Sequence, residues 1–377
     1  MTSADTSPAD AALQDLDGRL VTRVAEIVRE ELTERRRQLA MISPETAELA
    51  DRLLDYLEGG KLLRPRFCYW GGLAALQRDP SDAEVDALAR YGTAIELVQA
   101  AALLHDDVID HSPMRRGRPA LHVQAERQHR EGGLAGSSED YGTAVAIVLG
   151  DLALSWSEQV AAGVQGDPGA VAAARREFDA LRTEVMSGQF LDILHQAGGF
   201  ASAEDAEQAA LAVIRWKTVP YTVLRPVRIG AALLGAPEED LETLSEWAIE
   251  VGTAFQLRDD LLSVVGDQNE TGKPIGGDII EGKRTVLLAR TEVAADPAGR
   301  ALLADAVGRS DASAQQISAV HELMVSTGAV ASVVAEVEQR ALRAGELLDD
   351  ARMLGRTGSA GLSALAAQAT DVEAFTA

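Results

Sequence analysis

The stretch 103–117, LLHDDVIDHSPMRRG, holds three carboxylates, Asp106, Asp107 and Asp110, followed by two fixed cations, Arg115 and Arg116. On a helix Asp106 and Asp110 share one face, one turn apart. The segment before them, AIELVQAAALLH, is apolar. Carboxylates at the mouth of an apolar helix face repel one another and resist losing water. A divalent cation relieves both costs, and hard oxygen ligands suit Mg²⁺. Taken alone, the pattern is equally that of a solvated acidic helix end.

A second pair, Asp259 and Asp260, closes another apolar segment in FQLRDDLLSVVGD. Two acidic clusters on separate helices can face each other across a bundle and share metal ions. Mg²⁺ keeps several waters and bridges to phosphates, so this arrangement is that of a multi-metal clamp on a diphosphate. Basic residues beside Gly or Pro supply the anion's other partners: Lys61 and Arg64 in GGKLLRP, Arg115 and Arg116 in MRRGRP, Lys217 in RWKT, Lys273 in TGKP and Lys283 in EGKRT. Glycine there lets backbone N–H groups approach a phosphate. On a chain of net charge −24 such local cations stand out.

Helices must position these groups. Apolar periodicity predicts helices over 13–40, 44–58, 64–77, 82–110, 143–164, 168–195, 203–234, 238–266, 284–295, 300–307, 312–328 and 329–352. Gly-, Pro- and Asp-rich breaks separate them, and no useful strand alternation or fixed-period repeat occurs. Residues 1–12 are polar and acidic and are expected to form a disordered tail. Residues 13–377 are expected to be one all-α domain, with 126–142 as its mobile excursion.

Composition sets further bounds. The 377 residues are 46% hydrophobic and include 12 prolines, ample for a helical core. The acidic balance argues against nucleic-acid binding. One cysteine, Cys68, excludes a disulfide framework within the chain and is expected as a small buried hydrophobe. No uncharged apolar run approaches about 18 residues, so no membrane span and a soluble cytoplasmic protein are expected.

The motifs GGKLLRP, LLHDDVID, RRGRPALH, LGDLAL, GQFLD, WKT, FQLRDD, TGKP and GDIIEGKRT, in this order from about Gly59 to Thr285, resemble the trans-isoprenyl diphosphate synthases, most of all those making geranylgeranyl diphosphate. The resemblance implies a barrel of antiparallel helices around a deep central cavity, usually in a homodimer. It implies that Asp106 and Asp110 bind Mg²⁺ with an allylic diphosphate, Asp107 supporting them. Asp259 would bind a third ion, and Asp260 would order its waters; Mn²⁺ is an expected substitute. Arg115, Lys217 and Lys273 would hold the allylic diphosphate. Lys61, Arg64 and Arg116 would hold isopentenyl diphosphate. Gln189 and Asp192 would line the reaction zone, Gln99, Thr218 and Gln256 would contact substrate, and Lys283 would lie near the cavity mouth. The implied reaction is ionisation of the allylic C–O bond, attack by the double bond of isopentenyl diphosphate, and loss of a proton in a dry cavity.

Two positions depart from the family's pattern. Gln99 stands where many members have His, and Ser263 where many have a third Asp in the second cluster. Asp259, Ser263 and Asp267 also recur at i, i+4 and i+8, resembling the metal triad of class I terpene cyclases. The retained Lys61, Arg64, Arg115 and Arg116 favour a condensing enzyme, since a cyclase needs no second diphosphate site. Ala102 and Val98 share the face of Asp106, flanked by Ala101 and Ile95. With alanine at both 101 and 102, a growing tail should pass that level, and a C20 product is expected, with longer chains as the alternative.

Overall fold

The structure, a computed structural model, describes residues 8–265 and 276–375. It is all-α apart from one short ribbon, as expected. Helix α1 spans Pro8–Ala40 and α2 Pro44–Leu57. Helix α1 thus takes in residues 8–12, which were expected to be tail; proline suits a first helical position and the following alanines favour helix. Helices α3 (Leu63–Ala74) and α4 (Asp82–Ile109) follow. A capping box between Ser81 and Glu84 starts α4, and Asp110 is its C-terminal cap.

Strands β1 (Met114–Arg115) and β2 (Arg118–Pro119) form a hairpin. Its two turn residues, Arg116 and Gly117, both have positive φ, 51° and 73°, the conformation a two-residue hairpin turn demands. This turn separates the adjacent arginines: Arg115 lies in the strand and Arg116 in the turn.

Helix α5 (Leu121–Glu131) and α6 (Ser138–Ala162) occupy most of the segment expected to be a mobile excursion. Helix α5 is polar, so apolar periodicity did not reveal it; it buries only Leu121, Ala125 and His129. Helix α6 is long and apolar enough to cross a membrane by composition, but in this fold it packs along α4 and α5.

Helices α7 (Pro168–Gln196), α8 (Ala203–Val213), α9 (Arg225–Leu233) and α10 (Glu238–Val265) complete the walls. The single helix expected over 203–234 is interrupted by two wider π-helical turns, Ile214–Thr218 and Pro220–Leu224. Pro220 lacks the N–H that an α-turn would use. Beyond the undescribed segment come α11 (Gly277–Glu281), α12 (Val286–Ala294), α13 (Pro297–Ala306), α14 (Ala314–Ser326), α15 (Ala329–Asp350) and α16 (Arg356–Ala369).

Helix α16 was not anticipated, because its glycines look like breakers. They are contact points instead: a Cβ on Gly358 would lie 2.0 Å from the Ala74 backbone nitrogen, and one on Gly361 would lie 2.1 Å from the Trp70 ring. One apolar core links α1 through α16. Cys68 lies fully buried in it, as expected, with its thiol pushed up by burial.

Candidate active site

The last turn of α4 carries the first aspartates. Gln189 Nε2 on α7 donates to Asp106 Oδ1 at 3.0 Å. Lys217 Nζ stands 3.6 Å from the same oxygen, and Arg115 Nη2 lies 3.7 Å from Oδ2. Burial alone would raise the Asp106 carboxyl, but Lys217, Lys283 and Arg115 hold it below the usual carboxylate range. Asp107 points inward and is 1% exposed. It accepts from Arg115 Nε at 2.8 Å and from Arg115 Nη2. Burial outweighs that partner and raises the Asp107 carboxyl. Asp110 is pushed up to about 7 by burial and by Asp106, with Lys283 opposing.

Lys217 reaches this group because α7 comes unusually close to the first π-helical turn. A Cβ on Gly188 would lie 2.5 Å from Lys217 Cα, so only glycine at 188 permits the approach. Lys217 Nζ then also meets Asp192 Oδ2 at 2.6 Å. Next to it, Thr218 Oγ1 donates to Gln256 Oε1 at 2.8 Å, and Gln256 Nε2 donates to Asp260 Oδ1 at 2.7 Å. Asp260 is buried and its carboxyl is raised well above the ordinary range by desolvation and by Asp278. Asp259 stands exposed on the same helix.

Lys283 joins the two clusters. Its Nζ lies 3.0 Å from Glu281 Oε2, 3.4 Å from Asp278 Oδ1 and 3.9 Å from Asp110 Oδ2. Burial disfavours the ammonium, but these carboxylates raise its pKa well above the ordinary value. Asp278 and Glu281 were given no role from sequence, although the glycines around GGDIIEG marked a backbone meant to approach something. Asp278 also receives the Ser263 hydroxyl. A carboxylate from α11 thus stands beside the serine that occupies the family's third-aspartate position.

The second set of cations lies across α4. Arg64 Nη2 donates to Thr222 Oγ1 at 2.9 Å, and its guanidinium stacks 4.0 Å over the Tyr221 ring. Tyr221 in turn donates to Gln99. Buried Glu96, also overlooked in the sequence, is raised by desolvation while Arg64 and Arg116 oppose it. Lys61 and Arg116 are exposed, and Arg116 reaches the Tyr56 carbonyl at 3.4 Å. Lys273 and Asp267 lie outside the described residues.

Among the described residues, no three His, Cys, Asp or Glu side chains converge as a closed metal centre. The oxygen donors nonetheless fit Mg²⁺. Asp106 and Asp110 lie one turn apart, burial raises the carboxyls of Asp110 and Asp260, and the buried Oδ2 of Asp107 has no hydrogen-bond partner among the described residues. An ion that keeps waters and shares phosphate oxygens needs no closed protein cage.

From the aspartates an apolar cavity of about 230 Å³ runs along Val98, Ala101 and Ala102, with Leu154 and Val185 on facing walls and Asp106, Gln189 and Lys217 at its polar end.

The polyprenyl synthetase family model matches residues 47–324. A farnesyl diphosphate synthase from Mycobacterium bovis is 32% identical over 71% of this chain and 68% of its own. A geranylfarnesyl diphosphate synthase from Natronomonas pharaonis is 31% identical over 70% and 72% respectively. A crystal structure of geranylgeranyl pyrophosphate synthase from Corynebacterium glutamicum, complexed with isoprenyl diphosphate and magnesium, superimposes with a TM-score of 0.85 at 35% identity, covering 93% of this chain and 98% of that one.

Proposed function

The chain belongs to the polyprenyl synthetase family of prenyltransferases, and from that premise we propose that it condenses isopentenyl diphosphate with an allylic diphosphate to give geranylgeranyl diphosphate. The observation that carries this reading is the cavity, which is polar at Asp106, Gln189 and Lys217 and apolar below them. Such a shape suits a diphosphate head with a prenyl tail.

Asp106, Asp110 and Asp259 would hold Mg²⁺, three ions in all, with Asp260 ordering their waters. Bound Mg²⁺ would supply charge neutralisation for the leaving diphosphate. Lys217 and Arg115 bind the allylic diphosphate and take up the charge that develops on it as the C–O bond ionises. Lys61, Arg64 and Arg116 hold isopentenyl diphosphate, with Gln99 beside them, so that its double bond faces the allylic carbon. Gln189 orients Asp106. The apolar walls exclude water, which would quench the cation. The proton lost after condensation leaves with the released diphosphate.

The relatives' products differ in length, so the C20 assignment rests on the cavity: Ala101 and Ala102 both border it and neither closes it. The terpene cyclase alternative is disfavoured, since the Ser263 hydroxyl is engaged by Asp278 and a second cation group is retained. A homodimer is supported by exposed apolar residues on α7, where Met186, Phe190, Ile193 and Leu194 recur along one stripe, and by Ile147 and Val148 on α6. Light scattering tests it.

The enzyme test is incubation with Mg²⁺, isopentenyl diphosphate and dimethylallyl, geranyl or farnesyl diphosphate in turn. Elongated prenyl diphosphates ending at C20 are expected. A hydrocarbon from one long primer alone, without elongation, would assign the chain to the cyclases.

A further inference from the structure

His105 precedes the first aspartate and borders the cavity, yet the condensation described above gives it no role. Its ring lies against α6, with Nε2 3.3 Å from the Ile147 carbonyl oxygen and 3.5 Å from Asp151 Oδ1. The space it fills exists because residue 150 is glycine. A Cβ there would fall 2.2 Å from Nε2, 2.6 Å from Cδ2 and 2.9 Å from Cε1, distances that real Cβ atoms essentially never show. The three obstructing atoms are all ring atoms at the end of a rotatable side chain, not backbone. Relief therefore comes from turning the ring before the helix pair has to separate.

The direction of that turn matters. Helical side chains lean toward the helix N-terminus, so the ring overlies the turn that carries Ala101 and Ala102. Ala101, His105 and Ile109 recur at i, i+4 and i+8, and all three border the cavity. So does Leu154, one turn further along α6 from Gly150. The channel is thus open volume next to the ring.

We propose that Gly150 is a specificity-determining residue: by accommodating the His105 ring against α6, it keeps the channel wide at the level of Ala101 and Ala102 and so permits the longer product. This rests on the reading of the cavity as the path of a growing prenyl tail. Gly150 acts through His105 and touches no reacting atom.

The test compares the wild type, Gly150→Ala, His105→Ala and the double variant, each with Mg²⁺, isopentenyl diphosphate and dimethylallyl or farnesyl diphosphate. Gly150→Ala is expected to end its products at least one isoprene unit shorter. Its kcat/KM with farnesyl diphosphate should fall about tenfold or more relative to dimethylallyl diphosphate, the scale on which a tight apolar pocket discriminates. The double variant, which has no ring to displace, is expected to recover the wild-type length. General loosening of the fold would not change the primer ratio and would not be rescued in this way. Unshifted products from Gly150→Ala, or short products that persist in the double variant, overturn the inference while leaving the condensing activity intact. A wild type that elongates nothing removes the underlying reading, and this inference with it. Should Gly150→Ala not fold, His105→Trp probes the same wall from the other side. A ring too large for the recess must stand in the channel and shorten the product, and unchanged length overturns the proposal.

Discussion

Lys217 Nζ and Asp192 Oδ2 lie 2.6 Å apart, while the same ammonium stands 3.6 Å from Asp106. Burial would lower the lysine's pKa, but the two carboxylates raise it and keep it charged. Asp192 thereby holds the cation where a leaving diphosphate would need it. Lys217→Gln should reduce kcat by about 10²–10³-fold, the usual cost of losing one transition-state charge partner. Asp192→Asn, which keeps the cation but loosens its position, should cost roughly 10–100-fold. Steady-state kinetics with the allylic substrate varied checks both values. An Asp192→Asn enzyme as active as the wild type would show that the pair does not position the lysine.

Lys283 occupies the space among Asp110, Asp278 and Glu281. Lys283→Met removes the cation these carboxylates share. Breaking a buried pair costs up to about 3–5 kcal/mol, reduced here as the carboxyls take up protons. The variant should therefore unfold at lower temperature without metal. It should also gain more from Mg²⁺ than the wild type does, because a ligand that binds the folded state more tightly stabilises it more. Thermal unfolding across a Mg²⁺ titration, without substrate, reads both effects. Equal Mg²⁺-dependent shifts in the two proteins would show that the lysine does not compete with the ion.

Ala102 lines the cavity one turn below Asp106. Ala102→Phe should stop the tail near that level and move the product from C20 toward C15 or shorter. One helical turn rises about 5.4 Å, close to one extended isoprene unit. Chromatography of the dephosphorylated products is the measurement. An unchanged distribution would place the ruler on another wall.

Away from the cavity, Glu177 on α7 accepts from Arg225 Nη1 at 2.5 Å and from Arg228 Nη2 at 2.9 Å, tying α7 to α9. Burial alone would raise its carboxyl, but the two arginines hold it below the usual value. A depressed folded-state pKa contributes stability above the unfolded value, near 4.3, and that contribution is lost as pH falls through the folded value. Glu177→Gln should therefore cost about 1.5–3 kcal/mol at pH 7 and progressively less below about pH 4. Urea unfolding at both pH values tests the sign. A deficit that grows on acidification would contradict it.

Much of the site was legible in the sequence because helix geometry is local. Asp106 and Asp110 at i and i+4 must share a face wherever the helix lies, and Ala102 must share it too. What escaped notice depended on partners far along the chain. Helix α5 is polar and shows little periodicity. Helix α16 carries glycines whose purpose appears only beside Ala74 and Trp70. Asp278 and Glu281 lie in a short glycine-flanked helix whose sequence does not say what it faces.

The sequence by itself determined the all-α class, the two aspartate pairs and the order of cations, since these are properties of local periodicity and spacing, and its motifs in their order carried the family resemblance. Only the tertiary structure decided that Asp260 turns inward to Gln256 while Asp259 faces out, that Asp278 stands beside Ser263, and that a hairpin turn sends Arg115 to Asp107 and Arg116 away from it. Helical periodicity says which residues share a face. Which faces meet is settled by close packing among helices distant in sequence, where a single missing Cβ, at Gly188, sets how closely α7 and the first π-helical turn approach.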